Sequence, residues 1–227
     1  MKGIIFDFNG TLFWDSKLHY DAWREYSKKL RGYAFTDDEM RDEMLGHTNR
    51  HIIEYALGKK ASDKMVEELG QEKEALYRKQ CLENPSEFKL APGATDLLDY
   101  LKSQNIPMTI ATMAGWENVG FYIEEFKLDK WFDVDKIVYS NGKIPGKPAP
   151  DIFLIAANQL GLRPEDCVVV EDAIAGINAA KSAKIGKIVA IASMEPVEFY
   201  EKINGLYSII KSFDEFDRSI LESPCLK

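Results

Sequence analysis

The sequence predicts an α/β protein: a doubly wound parallel sheet with a helical segment inserted after its first strand. From Leu90 onward, short β-branched runs alternate with amphipathic stretches, as in a parallel sheet covered on both faces by helices. The stretch 16–87 instead shows helical periodicity without a convincing strand. We therefore expect a core of residues 1–15 and 88–227, and an inserted helical domain of residues 16–87.

The elements of the expected core follow from apolar runs and from the residues that end them. We predict strands at 4–8, 108–112, 136–139, 167–171 and 187–192. Helices are predicted at 151–160, where Gly161 ends the pattern, and at 173–183, where Ile174 and Ile177 share one face. Helices between parallel strands satisfy the crossover that such a sheet requires.

The insert is predicted to contain four helices. Apolar residues recur at four-residue spacing in the first of them: Leu18, Ala22, Tyr26 and Leu30. Thr36 followed by Glu39 is a capping-box pattern that opens a second helix. A third apolar face ends at Gly58, and Ser62 is placed to cap a fourth helix.

Composition restricts the classes of partner. A net charge of -8 and a pI near 5.1 disfavour nucleic-acid binding, which needs a basic surface. Cys81, Cys167 and Cys225 lack the spacing of a disulfide framework or zinc site. No stretch approaches the roughly 20 apolar residues of a membrane span. We expect a cytoplasmic protein, a monomer or weak dimer, with no nucleic-acid or membrane partner.

Candidate chemical groups occur in three separated segments. The first apolar run ends in Asp7-Phe8-Asn9-Gly10-Thr11, which places the Asp7 carboxylate where a buried strand emerges. Gly10 and Thr11 permit a tight turn and offer an amide and a hydroxyl to an anion. Downstream, a proline-bounded loop carries Lys147, and the run Val168-Val169-Val170 ends in Glu171-Asp172. Asp7 with this acidic pair would form an oxygen-rich site suited to Mg²⁺.

Together and in this order, the three segments resemble the haloacid dehalogenase superfamily, most closely its beta-phosphoglucomutase-like phosphatase branch. The resemblance spans almost the whole chain. It implies a Rossmann-like core with an α-helical cap domain. It also implies that Asp7 attacks phosphorus, that Thr112 and Lys147 hold the phosphoryl oxygens, and that Mg²⁺ is bound. The implied metal ligands are Asp7, the backbone carbonyl of Asn9, Glu171 and Asp172.

The resemblance also suggests substrate-binding residues. The hydroxyl of Thr11 and the amides of Met113 and Ala114 would cradle a phosphate, and Asn118 matches an active-site asparagine of the core. In the insert, His19 and Lys73 align with cap residues of the mutase. The segment Gly46-His47-Thr48-Asn49-Arg50 resembles the substrate-specificity loop, although a solvated charge is the alternative for His47, Arg50 and Lys73.

Asn9 departs from the family pattern, in which a second aspartate follows the nucleophile by two residues. An amide forms hydrogen bonds but does not shuttle a proton near neutral pH. Loss of a general acid/base typically costs about 10²–10⁴-fold in rate. Three consequences stay open: slow turnover, substrates with good leaving groups, or a base supplied by the insert. His19 is a candidate base because an imidazole titrates near neutral pH, and an exposed helix histidine is the alternative.

We therefore expect a magnesium-dependent phosphatase of small phosphomonoesters, sugar or related metabolite phosphates, that acts through a phospho-Asp7 intermediate. Two alternatives stay open. A phosphomutase would return the phosphoryl group to the substrate instead of to water. A catalytically weak phosphate- or sugar-phosphate-binding protein would keep the pocket without turnover, because Asn9 replaces the acid/base.

Overall fold

Six strands form one sheet within the part of the chain, residues 2–44 and 48–221, that the computed structural model describes. The strands are β1 (Gly3–Phe6), β2 (Met108–Gly115), β3 (Val138–Ser140), β4 (Cys167–Glu171), β5 (Lys187–Ile191) and β6 (Ser208–Ile210). Their order is β3-β2-β1-β4-β5-β6 and every pairing is parallel. The chain builds the sheet outward in both directions from β1, which confirms the predicted doubly wound α/β class.

Helices account for most of the remaining structure. Those of the insert are α1 (Ser16–Arg31), α2 (Asp37–Glu39), α3 (Asn49–Leu57) and α4 (Asp63–Glu83), with a π-helical segment at Met40–Met44. Those of the core are α5 (Ala94–Ser103), α6 (Trp116–Phe126), α7 (Asp151–Gln159), α8 (Ile174–Ser182) and α9 (Val197–Tyr200). Single 3₁₀ turns occur at Leu128–Lys130, Val134–Lys136, Pro164–Asp166, Phe213–Glu215 and Arg218–Leu221. In the described ranges, none of these helices is long and apolar enough to cross a bilayer.

The chain divides into two compact units, one formed by Met1–Trp14 with Lys89–Lys227 and the other by Asp15–Phe88. This division lies one residue outside the expected insert, 16–87, at each end. Cys81 and Cys167 are buried free thiols. Cys225 lies outside the described residues.

The core of the larger unit forms around β1 and β4. Residues Ile4, Ile5 and Phe6 of β1 have no exposed surface, and Val168–Val170 of β4 are at most 1% exposed. Strands buried on both faces consist of continuous apolar residues because helices cover each side of the sheet. The two strands pair in register, Ile5 with Val169 and Phe6 with Val170. Their carboxyl ends therefore reach the same edge of the sheet side by side.

Some core elements differ from the sequence-based expectation. β1 ends at Phe6, and the third strand begins at Val138 because residues 134–136 form a 3₁₀ turn. β6, α5, α6 and α9 were not predicted. β6 has three residues, too few for a periodic pattern, and exists because Ser208–Ile210 pairs with β5.

The insert has its own apolar core, which includes Trp23, Tyr26, Met40, Ile52 and Ile53. The predicted helix ends are confirmed. The Glu39 backbone N–H donates to the Thr36 hydroxyl (3.2 Å), and the Thr36 N–H donates to the Glu39 carboxylate (2.8 Å). Gly58 adopts a left-handed conformation (φ 63°) after α3, and the Ser62 hydroxyl caps α4.

Candidate active site

Asp7 directly follows β1, and its backbone N–H donates to the Val170 carbonyl at 3.0 Å. The chain then turns at once. Gly10 has φ +81°, and its N–H donates to the Phe13 carbonyl at 2.7 Å. A β-carbon on Gly10 would collide with the carboxylate of Asp172, so this position requires glycine for space as well as for conformation. The turn thus holds a buried carboxylate at the end of the central strand.

Lys147 bridges two of the acidic side chains. Its Nζ lies 2.5 Å from Asp7 Oδ1 and 2.5 Å from Glu171 Oε1. The Lys147 side chain is 8% exposed. Burial lowers its pKa, but the charges of Asp7 and Glu171 outweigh burial and raise the pKa above the ordinary value. Lys147 is therefore a fixed cation beside the Asp7 carboxylate.

Asp7, Glu171 and Asp172 form an acidic cluster whose ligand oxygens lie within 4.8 Å of one another. Glu171 accepts a hydrogen bond from the Ala173 N–H (2.7 Å), and Asp172 accepts one from the Thr11 hydroxyl (3.0 Å). Burial, together with the charges of Glu171 and Asp7, raises the pKa of Asp172 to about 8. Even with Asp172 protonated, the two charges of Asp7 and Glu171 exceed the single charge of Lys147. This set of hard oxygen donors with excess negative charge fits Mg²⁺.

Asn9 is part of a chain of hydrogen bonds between uncharged groups. The Ala114 N–H donates to Thr112 Oγ1 (3.1 Å), and the Thr112 hydroxyl donates to Asn9 Oδ1 (3.2 Å). Asn9 Nδ2 then donates to the Tyr122 hydroxyl (2.9 Å). These partners fix the orientation of the amide. Tyr122, on α6, was missed by the sequence analysis because no motif marks it.

The structure brings several predicted residues of the core together at the ends of β1, β2 and β4. These are Asp7, Asn9, Thr11, Thr112, Ala114, Lys147, Glu171 and Asp172. Met113 follows Thr112 on β2, and its half-buried side chain packs against the apolar cluster that includes Phe153. Asn118 is buried on α6.

The two predicted insert residues belong to one network within the smaller unit. The His19 ring stacks on Tyr77 with centroids 3.9 Å apart, and its Nε2 lies 3.3 Å from Asp15 Oδ2. Lys73 Nζ lies 3.1 Å from His19 Nδ1 and 2.6 Å from the Glu74 carboxylate. Burial lowers the pKa of Lys73, and Glu74 offsets only part of that effect. Both ring nitrogens of His19 thus face partners inside the insert.

Asp15 and Tyr77 were not predicted as members of this network. The Tyr77 hydroxyl donates to Asp15 Oδ2 at 2.6 Å. Helical spacing could have indicated both, since each lies four residues from a predicted residue, Asp15 from His19 and Tyr77 from Lys73. Of the predicted specificity loop, His47 lies outside the described residues, and Arg50 pairs with Asp63 and the Ala61 carbonyl.

Comparison with known proteins identifies the family. Residues 1–184 match the family model of haloacid dehalogenase-like hydrolases. The chain is 30% identical over 195 residues to a phosphorylated carbohydrates phosphatase of Thermotoga maritima, covering 84% of this chain and 85% of the relative. It is 31% identical over 188 residues to beta-phosphoglucomutase of Bacillus subtilis, covering 81% and 80%.

Among solved structures, a family IA, variant 3 hydrolase of Entamoeba histolytica has a TM-score of 0.91 and 40% identity, with 97% of each chain covered. The agreement thus extends across nearly the full length of both proteins. The chain therefore belongs to the haloacid dehalogenase-like hydrolases, as the resemblance of its three motifs predicted.

Proposed function

We propose that this chain is a magnesium-dependent phosphatase of small sugar or metabolite phosphates, acting through a phospho-Asp7 intermediate. The observation that carries the proposal is the Asp7 carboxylate, held by Lys147 beside Glu171 and Asp172 at the end of the central strand. The Thermotoga relative, a phosphatase of phosphorylated carbohydrates, supports the substrate class.

The first chemical step uses the Asp7 carboxylate as the nucleophile. An Asp7 oxygen attacks phosphorus, the bond between phosphorus and the leaving oxygen breaks, and the leaving group departs with the electron pair. Lys147 stays protonated and offsets negative charge at the nucleophile and the phosphoryl oxygens.

The proposed hydrogen-bond donors to the phosphoryl oxygens are the Thr112 hydroxyl and the backbone N–H groups of Met113 and Ala114. Thr112 and Ala114 donate to Asn9 and to Thr112 in the described arrangement, so both would exchange these acceptors for phosphate. In the second step, water attacks the phosphorus of phospho-Asp7, the bond between phosphorus and the Asp7 oxygen breaks, inorganic phosphate leaves, the proton of the water passes to solvent, and the Asp7 carboxylate is restored.

The proposed metal ligands are Asp7, the backbone carbonyl of Asn9, Glu171 and Asp172. A bound Mg²⁺ supplies positive charge against the phosphoryl oxygens. Thr11 supports this role, because its hydroxyl donates to Asp172 and fixes that carboxylate in place.

In this proposal the insert acts as the cap domain that selects the leaving group. His19 and Lys73 are its candidate residues. In the described arrangement His19 is held by Asp15 and Lys73. A role of His19 as general base therefore requires that at least one of these contacts opens, whereas a role in positioning Lys73 does not.

The test is phosphate release from a panel of sugar phosphates, with and without Mg²⁺. We expect magnesium-dependent release by the wild type and by Asp129→Asn, a control at an exposed aspartate, and none by Asp7→Asn. Asn keeps the shape of the side chain but removes the anionic nucleophile. Release by Asp7→Asn at the wild-type rate would contradict the proposal.

A phosphomutase is the second candidate, favoured by the 31% identity to the Bacillus beta-phosphoglucomutase. The same incubations separate the two activities. A phosphatase yields free phosphate from every accepted sugar phosphate, whereas a mutase yields an isomeric sugar phosphate. Binding of sugar phosphates without either product would indicate the catalytically weak binding protein.

A further inference from the structure

The side chain two residues beyond the nucleophile is the amide of Asn9, which contacts two neutral hydroxyl groups. Thr112 donates to Asn9 Oδ1, and Asn9 Nδ2 donates to Tyr122. The Thr112 hydroxyl also accepts a hydrogen bond from the Ala114 backbone N–H. In the described geometry the Asn9 carbonyl faces Thr112 and its amino group faces Tyr122.

This arrangement matters for the departure of the leaving group. When an Asp7 oxygen bonds to phosphorus, the electron pair of the broken bond remains on the leaving oxygen. An alkoxide is strongly basic and needs a proton as the bond breaks. A carboxylate or phenolate does not, since the conjugate acids have pKa values of about 4 and 10. The Asn9 amide has no proton to transfer near neutral pH.

Lys147 is badly placed to supply that proton. Its ammonium group contacts Asp7 and Glu171, which puts it beside the nucleophile. In an in-line displacement the leaving oxygen lies on the opposite side of phosphorus from the nucleophile. The described contacts therefore place the Lys147 proton on the wrong side of the reacting phosphorus atom.

We infer that the enzyme prefers phosphoryl donors whose leaving group departs as a stable anion, namely acyl and aryl phosphates, over phosphates of primary alcohols. The inference rests on the proposed attack by Asp7 and ranks the substrates of that same site: metabolite phosphates with an acyl or aryl leaving group react fast, and sugar phosphates with an alcohol leaving group turn over slowly. The phosphoryl group passes to Asp7, the unprotonated leaving group diffuses away, and water then releases phosphate from the aspartate.

Asn9→Asp is the informative variant, because a carboxylate has the same shape as the amide. Thr112 can still donate to one oxygen, and the Tyr122 hydroxyl can rotate and donate to the other. Asn204→Asp is a matched control, since Asn204 is exposed, precedes a glycine as Asn9 does, and gains the same charge. Peptide mapping of each preparation establishes that Asn9 itself has not deamidated.

The measurement is release of the leaving group from acetyl phosphate, p-nitrophenyl phosphate and glucose 6-phosphate. The enzyme is in excess over the substrate, so the observed rate reports the transfer of the phosphoryl group to Asp7 and not the later hydrolysis. In the wild type and in Asn204→Asp, we expect the first two donors to react much faster than the third. Asn9→Asp should accelerate the reaction of glucose 6-phosphate by about 10²–10⁴-fold. It should change the reaction of acetyl phosphate only a few-fold.

Two results overturn the inference alone: equal rates for the three donors in the wild type, or the same acceleration of every donor by Asn9→Asp. The first needs no variant, so a poorly folded Asn9→Asp would not rescue the inference. Intact mass after acid quenching tests the proposed function separately. No phosphorylated protein with any donor, or phosphorylation that persists in Asp7→Asn, means that the proposed attack by Asp7 fails.

Discussion

Two buried lysines, one in each structural unit, have pKa values that are shifted in opposite directions. Lys147 of the core is 8% exposed and its pKa is raised, whereas Lys73 of the insert is 2% exposed and its pKa is lowered. Burial acts in the same direction on both, because it disfavours the charged ammonium group. The difference must therefore come from the groups that surround each nitrogen.

The number and burial of the neighbouring carboxylates decide the outcome. Lys147 contacts Asp7 and Glu171, whose side chains are 9% and 1% exposed. Lys73 contacts the 23% exposed Glu74 and the ring nitrogen of His19. The charges of Glu74 and Asp15 do not offset the desolvation of Lys73, whereas the two buried carboxylates in contact with Lys147 outweigh the desolvation of that ammonium group. The charge of Lys147 therefore stabilises the carboxylates of the core site, whereas the charge of Lys73 is disfavoured by its burial in the insert.

The sharpest test of this contrast is Lys147→Met. The substitution leaves two buried carboxylates without their cation, so we expect a loss of about 3–5 kcal/mol in the free energy of unfolding at pH 7. Urea denaturation measures the loss, and Lys143→Met, at an exposed position of the same loop, is the control. A loss no larger than that of the control would show that the carboxylates do not need Lys147.

A second test compares two glycines with left-handed backbone conformations, Gly10 in the core (φ +81°) and Gly32 in the insert (φ +88°). Alanine at either position costs about 1–2 kcal/mol of stability through backbone strain. Only at Gly10 would the new β-carbon also displace Asp172. We therefore expect Gly10→Ala, but not Gly32→Ala, to weaken Mg²⁺ binding about 10–100-fold in a calorimetric titration. Equal affinities in the two variants would contradict the proposed metal site.

A third test concerns the ion pair of Arg31 and Glu39 in the insert, which is more exposed than the pairs of Lys147. Arg31 at 2.6 Å and the Thr36 backbone N–H lower the pKa of Glu39 well below its ordinary value of 4.5. A lowered folded-state pKa stabilises the protein above pH 4.5, and that stabilisation is lost as the pH falls. We expect Glu39→Gln to cost about 1–2 kcal/mol at pH 7.

The cost of Glu39→Gln should shrink as the pH falls below 4.5, because Glu39 then takes up a proton in the unfolded wild-type chain while it stays ionised in the folded protein. Denaturation of the wild type and of Glu39→Gln at a series of acidic pH values measures this difference in the free energy of unfolding. Glu67→Gln, at an exposed position, is the control. If Glu39→Gln lowers the free energy of unfolding by the same amount at every pH, Glu39 stabilises the insert through its shape and not through its charge.

Lys73→Met should have the smallest effect. The variant removes the cost of burying an ammonium group and fills the same space, so its stability at pH 7 should stay within about 1 kcal/mol of the wild type or exceed it. Because the folded-state pKa of Lys73 is lowered, the unfolded chain binds more protons between that value and 10.5. Wild-type stability should therefore gain a contribution that rises with pH in this window.

The rise should be absent from Lys73→Met. Chemical denaturation at a series of pH values from neutral to alkaline compares the two proteins, and identical pH dependences would contradict the lowered pKa. A loss as large as that expected for Lys147→Met would remove the distinction between the two lysines.

The core was easier to predict than the insert network because its side chains follow buried strands. Asp7 and Glu171 each stand where an apolar run ends, and parallel strands bring such ends to one edge of the sheet. Tyr122 carried no comparable signal, since it lies 113 residues from its partner Asn9 on a helix that was not predicted. β6 was missed for a related reason, because three residues carry no periodicity.

The sequence by itself determined the fold class, the helix caps at Thr36 and Ser62, and the order of the motif segments. Each of these is encoded locally, in hydrophobic periodicity or in neighbouring residue types. Only the tertiary structure decided which side chains meet, that Lys147 bridges two buried carboxylates, and that Lys73 contacts the partly exposed Glu74. A lysine has the same intrinsic pKa wherever it stands in the sequence, so its charge state is decided by burial and by partners, which for Lys147 include Asp7, 140 residues away.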